Sequence, residues 1–275
     1  MALTVNTNIA SLKARNNLNQ TSRSLSGSFE RISSGLRITK AADDAAGLGV
    51  AESMDAQEIS ARQAMRNTND GISMVQTAEG STNEVANIVK RMRELAVQSS
   101  SETLATTERA YIQSEYLSLE EEVDRIAQTT EFNGIALSEG TNTQLNVQVG
   151  IMNTTNDQIT VTFGDLRVTA LAIDSGSIGL DTSANAFNAI DDLDDALDTL
   201  NGYRANLGAS QNRLDSSLRN METYAENLSS AQSQIRDADF AYETAELSKT
   251  QIMQQAGTAI LAQANQVGQG ALSLI

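Results

Sequence analysis

The sequence has no cysteine, histidine, proline or tryptophan, and aromatic residues make up only 4% of its 275 residues. Without cysteine there are no disulfides and no thiolate metal ligands. Without histidine as well, there is no Ser-His or Cys-His nucleophile pair, no imidazole proton shuttle and no common zinc site. The missing proline removes the strongest helix breaker, so helices tens of residues long are permitted. With so few rings a thick layered core is hard to fill, whereas thin helix-on-helix seams need only Leu, Ile, Val, Met and Ala. No run of about 18 apolar residues occurs, which excludes a membrane-spanning helix. The opening MALTVNTNIASLKARNNLNQ lacks the apolar stretch of a secretory signal, so export by the general pathway is not expected.

A net charge of −16 argues against nucleic acid as a partner, because phosphate binding needs a basic surface. The charge is unevenly spread. Residues 1–40 carry Lys13, Arg15, Arg23, Arg31, Arg37 and Lys40 against Glu30, while residues 237–275 carry Asp237, Asp239, Glu243 and Glu246 against Lys249. The two ends are therefore complementary, which reads either as two solvated helix faces with a chance bias or as termini that pair with each other, within or between subunits.

Heptad spacing carries the organisation, since apolar residues every 3.5 positions keep one seam toward a partner helix. Near the start, Leu18, Leu25 and Ile32 repeat at seven, with Phe29 and Leu36 in the alternate positions. A second helix is expected from Asp44 to Ser99, and a third over 104–129 with Ile112, Tyr116, Leu119, Val123 and Ile126 in strict order. Further on, Leu193, Leu200, Leu207, Leu214, Met221, Leu228 and Ile235 form an unbroken series. The seam breaks at 236–239, and a last amphipathic segment carries Phe240, Leu247, Ile252, Ile260, Leu261 and Leu272.

Between the helical blocks the period falls to two. Leu145, Val147 and Val149, then Ile159, Val161 and Phe163, alternate with polar residues and predict a hairpin; Leu166, Val168 and Ala170 are expected to extend it. The fold class expected is mainly α, a long antiparallel coiled-coil-like bundle with the N- and C-terminal helices paired and a small β-hairpin region at about 141–173. The terminal helices have little to bury against within one chain. Docking onto identical neighbours in a non-closing arrangement would build a helical filament.

Chemistry is sparse. The aspartates at 191, 192, 194, 195 and 198 read as a solvated helical face, because no glycine supplies the sharp turn of a calcium loop. Gly47 and Gly49 are not followed by the Gly-Lys-Ser/Thr of a phosphate loop. No cofactor, metal or catalytic residue is expected, and the chain is not expected to be an enzyme.

Ordered motifs resemble a known family. TNIASLKARNNLNQTSRSLSGSFERISSGLRITKAADDAAGLGVAE, from Thr7 to Glu52, closely resembles the N-terminal region of bacterial flagellins. So do Asn69-Asp70-Gly71-Ile72-Ser73, the segment from Arg91 to Gln98, the Phe132-Asn133-Gly134 turn and QIMQQAGTAILAQANQVGQGALSLI from Gln251. The resemblance is to a short form lacking the large variable outer domains. It implies that residues 1–42 and 237–275 form the helical core of a filament and residues 43–236 a rod-like outer domain. It also implies self-assembly through Ile9, Leu12, Leu18, Leu25, Phe29, Ile32, Leu36, Phe240, Leu247, Ile252, Ile260, Leu261 and Leu272. The implied location is the extracellular flagellar filament, reached by type III export. Implied partners are further copies of the chain, an export chaperone, the filament cap and hook-associated proteins. A flagellin-sensing Toll-like receptor is a further implied partner, through Arg91, Leu95 and Glu115. The alternatives are a hook–filament junction protein and, more remotely, a type III secreted coiled-coil adhesin or translocator.

Overall fold

The computed structural model describes residues 7–174 and 178–272, with side chains as far as residue 266. Five helices dominate: α1 (Ile9–Ser34), α2 (Ala45–Ser99), α3 (Thr106–Thr129), α4 (Ser183–Arg236) and α5 (Phe240–Leu272). Strands β1 (Glu131–Phe132) and β2 (Ile135–Ala136) form one hairpin, and β3 (Gln144–Gln148) and β4 (Gln158–Thr162) another. By packing, the chain divides into two compact units, one of residues 1–58 and 226–275 and the other of residues 59–225.

In the unit of residues 59–225, the heptad residues Leu193, Leu200, Leu207 and Leu214 are all buried. They divide between two clusters. One gathers Val85, Val89 and Met92 of α2, Tyr116 and Val123 of α3, and the first turns of α4. The other sets Val75 of α2 and Leu207 and Leu214 of α4 against the inner face of the β3–β4 hairpin. The hairpin register is Leu145↔Val161 and Val147↔Ile159, as alternation requires, with these residues toward the core and Asn146 and Thr160 outward. Gly71 lets α2 approach this sheet, because a Cβ there would meet the Val147 methyls at 3.0 Å. The shorter hairpin turns at Asn133 (φ 49°) and Gly134 (φ 76°), the left-handed pair that a two-residue turn demands.

One expectation fails here. Leu166, Val168 and Ala170 extend no strand. Instead Asp165 accepts from the Arg167 backbone N–H at 3.1 Å and Asp124 from that of Val168 at 3.0 Å. These side chains take donors that a third strand would need, and the segment becomes a run of turns. Leu166 and Val168 still point inward, joining Ile173 and Leu180 in the core.

Candidate assembly surface

In the unit of residues 1–58 and 226–275, local sequence signals fix each helix end. The Asn8 side chain accepts from the Ser11 N–H at 3.1 Å and caps α1, whose far end closes on Gly35 at φ 72°. Asp44 caps α2 by accepting from the Gly47 N–H at 2.9 Å. A Cβ at Gly47 would lie 2.4 Å from that carboxylate and 2.9 Å from Ile38 Cδ1, so this glycine makes room for a cap. Asp239 caps α5, accepting from the Ala241 and Tyr242 N–H groups at 2.9 and 3.1 Å.

The break that the sequence shows at 236–239 becomes a clasp between two chain crossings. Leu36 and Asp237 form an antiparallel bridge. Beside it the Arg37 N–H donates to the Arg236 carbonyl at 2.7 Å, and the Ala238 N–H to that of Gly35 at 2.9 Å. The Arg37 guanidinium donates to the Ile235 carbonyl. Asp43 organises the same loop by accepting from the Thr39 and Lys40 N–H groups, which holds its carboxyl below the usual range.

From this clasp α1 and α5 run antiparallel and in contact. The buried residues of α1 are Ala14, Thr21 and Ser28, and those facing from α5 include Glu243 and Thr250. Leu18, Leu25 and Ile32 flank this line and are half-buried, as are Leu36, Leu247 and Leu261. The seven-residue spacing expected is therefore present, but Ser28 takes the inward place assigned to Phe29. Phe29 lies on the outer side, 51% exposed. Counting apolar residues misses such a seam, because small and polar residues let two helices approach closely. A period of seven in Ala, Thr, Ser and Gly would have revealed it.

A consequence is that several large apolar residues of both helices stay outside. Ile9, Leu12, Phe240, Ile252 and Ile260 are 68%, 48%, 66%, 66% and 60% exposed, and Tyr242 and Met253 are exposed with them. Leu272 lies beyond the residues whose side chains are described. Covering one such side chain is worth about 1.5–3 kcal/mol, so together they supply a large drive toward association.

The other candidate contact lies in the unit of residues 59–225. Arg91 is ion-paired to Glu115 at 2.8 Å and to Glu94 at 2.9 Å, all three exposed. Leu95 is not available beside them. It is 1% exposed and packed in the core between α2, α3 and α4, which corrects the expectation that it shares their surface. The aspartate-rich start of α4 is not wholly solvated either: Arg93 grips Asp194 with two bonds of 2.6 and 2.9 Å, holding that carboxyl below its ordinary range. Among the described residues no group of acidic side chains is placed to hold a metal ion.

The sequence profile of the bacterial flagellin N-terminal helical region matches residues 5–143, and that of the C-terminal helical region matches residues 190–275. The flagellin of Halalkalibacterium halodurans is 42% identical over 98% of this chain and 99% of its own length. The flagellar filament 33 kDa core protein of Treponema phagedenis is 39% identical over 98% and 99%. Among solved structures, Bacillus cereus flagellin superposes with a TM-score of 0.50 at 31% identity, covering 61% of this chain and 94% of that one. A flagellar hook-associated protein from Vibrio parahaemolyticus reaches a TM-score of 0.59 at 14% identity, a likeness of fold alone.

Proposed function

The chain belongs to the bacterial flagellin family, and from that premise we propose that it polymerises through its terminal helices into the extracellular flagellar filament, as a structural subunit serving motility. The observation that carries the mechanism is the α1–α5 pair, which buries small residues inward and leaves Ile9, Leu12, Phe29, Phe240, Ile252 and Ile260 exposed. A pair built this way is incomplete as a monomer. Heterologous contacts between identical copies propagate instead of closing, and the product is a helical polymer.

The family assignment supports a division into a filament-core domain, residues 1–42 and 237–275, and a rod-like domain, residues 43–236. The clasp around Leu36 and Asp237 is a natural boundary for it. No catalysis is part of this function; a chain without histidine and cysteine lacks the usual nucleophile pairs. In the same reading an export chaperone holds the α5 segment before secretion, since its exposed apolar residues need cover. The cap and hook-associated proteins meet the same terminal helices. Receptor binding falls to Arg91 and Glu115, without Leu95.

Seeded polymerisation tests the core of the proposal. Purified chain is expected to sediment as filaments visible by electron microscopy, and removal of residues 1–40 is expected to abolish them. Filaments of undiminished yield from the trimmed chain would defeat the mechanism.

A further inference from the structure

The facing lines of α1 and α5 pose a problem of register. Ala14, Thr21 and Ser28 recur every seven residues on one helix, and Glu243, Thr250 and Gly257 every seven on the other. A seam of small residues with a seven-residue period fits itself almost as well after a slide of seven residues. Yet the structure has one register throughout. Asn8 donates to the Ala264 carbonyl at 2.8 Å, Ser11 to the Asn265 side chain at 2.9 Å, and a Cβ at Gly257 would rest 3.2 Å from Leu18 Cδ1. At the clasp end, Arg31 Nε lies 2.6 Å from Glu243 Oε1.

The polar side chains in this seam differ in what they require. Thr21 donates to the Asn17 carbonyl, and Thr250 to those of Glu246 and Leu247, so each is satisfied within its own helix and indifferent to register. Glu243 is not. Its side chain is 7% exposed, and the cation at its Oε1 comes from the other helix. A buried carboxylate without a cation is strongly disfavoured. After a slide of seven in one direction, Glu243 faces Ser24 instead; in the other, it faces the segment at Ile38, beyond the end of α1. The position also suits both charges, because Arg31 is in the last turn of α1 and Glu243 in the first turn of α5, where the helix dipoles favour them.

We propose that the Arg31–Glu243 ion pair, whose carboxylate is buried, is the register-specifying contact of the terminal helix pair, selecting one alignment from a seam whose small-residue repeat admits several. It positions the outward apolar residues of α1 relative to those of α5, and hence composes the surface that a second copy meets. This goes beyond the polymerisation reading but rests on it for material in which the two helices are paired.

The cysteine-free chain makes the test direct. Leu18→Cys with Gly257→Cys reports the observed register, while Leu25→Cys with Gly257→Cys and Leu18→Cys with Thr250→Cys report the two slides. Each pair is oxidised in sedimented polymer, which is then dissociated and scored for intrachain disulfide. Sedimentation of the chain without cysteines reads the polymerisation proposal separately. With Arg31 and Glu243 intact, disulfide is expected in the observed-register pair alone. With Arg31→Leu and Glu243→Leu together, the ratio of slid to observed disulfide is expected to rise about tenfold or more, since loss of a specifying polar contact releases alternative alignments. If that double variant keeps the observed register alone, alignment belongs to the clasp and the proposal fails. If it does not polymerise, the exchange of Arg31→Glu with Glu243→Arg decides. Recovered polymer with the observed-register disulfide supports the proposal, and an exchange that recovers neither overturns it.

Discussion

The Tyr116 hydroxyl donates to the Ile173 carbonyl at 3.1 Å, tying the middle of α3 to the turn-rich segment that leads toward α4. The ring is fully buried, and burial, with Glu120, Asp192 and Asp174 nearby, pushes its ionisation well above the usual tyrosine range. Tyr116→Phe leaves the Ile173 carbonyl unpaired and is expected to cost about 1–3 kcal/mol in denaturant unfolding. The pH dependence follows in sign. A group whose folded pKa is raised contributes stability that is complete below its unfolded value, about 10, and is lost as pH rises beyond it. The native chain should therefore weaken above that pH more steeply than the phenylalanine variant. Parallel alkaline curves for the two would rule this out.

Exposed isoleucines on α5 should matter to assembly and little to folding. Ile252→Ser and Ile260→Ser each remove a side chain that is 60% or more exposed. If a neighbouring copy covers them, each loses about 1.5–3 kcal/mol of association free energy, which raises the critical concentration for polymerisation roughly ten- to hundredfold. Sedimentation across a concentration series measures that shift. Circular dichroism of the dilute chain should change little.

Limited proteolysis gives a complementary readout. With several of their large apolar residues outward and only a narrow seam inward, α1 and α5 are expected to be cut early in dilute monomer and resist cleavage once polymerised. The buried helices of residues 59–225 should survive in both states. Equal resistance of the terminal helices before and after polymerisation would count against an assembly role for their exposed faces.

How far the sequence discloses this molecule depends on what a local pattern can encode. Helix spans and the β3–β4 hairpin were legible because capping residues and alternation of two or seven are short-range signals: α2 begins after Asp44, and β3 pairs with β4 in the register that alternation requires, while the Phe-Asn-Gly turn marked the end of α3 without disclosing the two-residue strands on either side of it. The inner residues of the α1–α5 seam were not legible from hydrophobicity, because Ser28 and Glu243 are buried for reasons of close approach and charge. Leu166 and Val168 misled for a similar reason. Their apolar alternation is real, but Asp124 and Asp165, distant or overlooked in a strand count, capture the backbone donors. Phe29 lies outside although its heptad position pointed inward, because which side of an apolar helix faces inward is decided by tertiary packing.

Gly71 offers a sharp probe of the hairpin. A methyl group there would meet both Val147 methyls at 3.0 Å, with Val147 itself only 9% exposed, so the Val147 side chain must shift by a few tenths of an ångström within a packed core. Gly71→Ala gains helix propensity worth up to about 1 kcal/mol. Overpacking costs about 1–3 kcal/mol, and the balance is expected to be destabilising. Val147→Ala in the same chain relieves the contact, so the double variant should lose less than the two single losses combined. Simple additivity in a double-mutant cycle would show that the clash is absent.

The proposed receptor contact at Arg91 and Glu115 carries a prediction that separates surface from core. Arg91 and Glu115 are exposed and paired with each other, and an exposed ion pair contributes only about 0–1 kcal/mol to folding. Arg91→Ala and Glu115→Ala should therefore leave unfolding curves nearly unchanged. If the pair forms a receptor contact, each should weaken binding by about 1–2 kcal/mol, roughly five- to thirtyfold. Leu95→Ala belongs to another class. Its side chain is 1% exposed in the α2–α3–α4 core, so truncation should cost about 2–5 kcal/mol of stability. Any loss of receptor binding by that variant should follow its loss of folded protein. Titration of the receptor ectodomain against equal concentrations of folded chain distinguishes the cases: unchanged affinity for the Arg91 and Glu115 variants would remove this surface from recognition, whatever Leu95→Ala does.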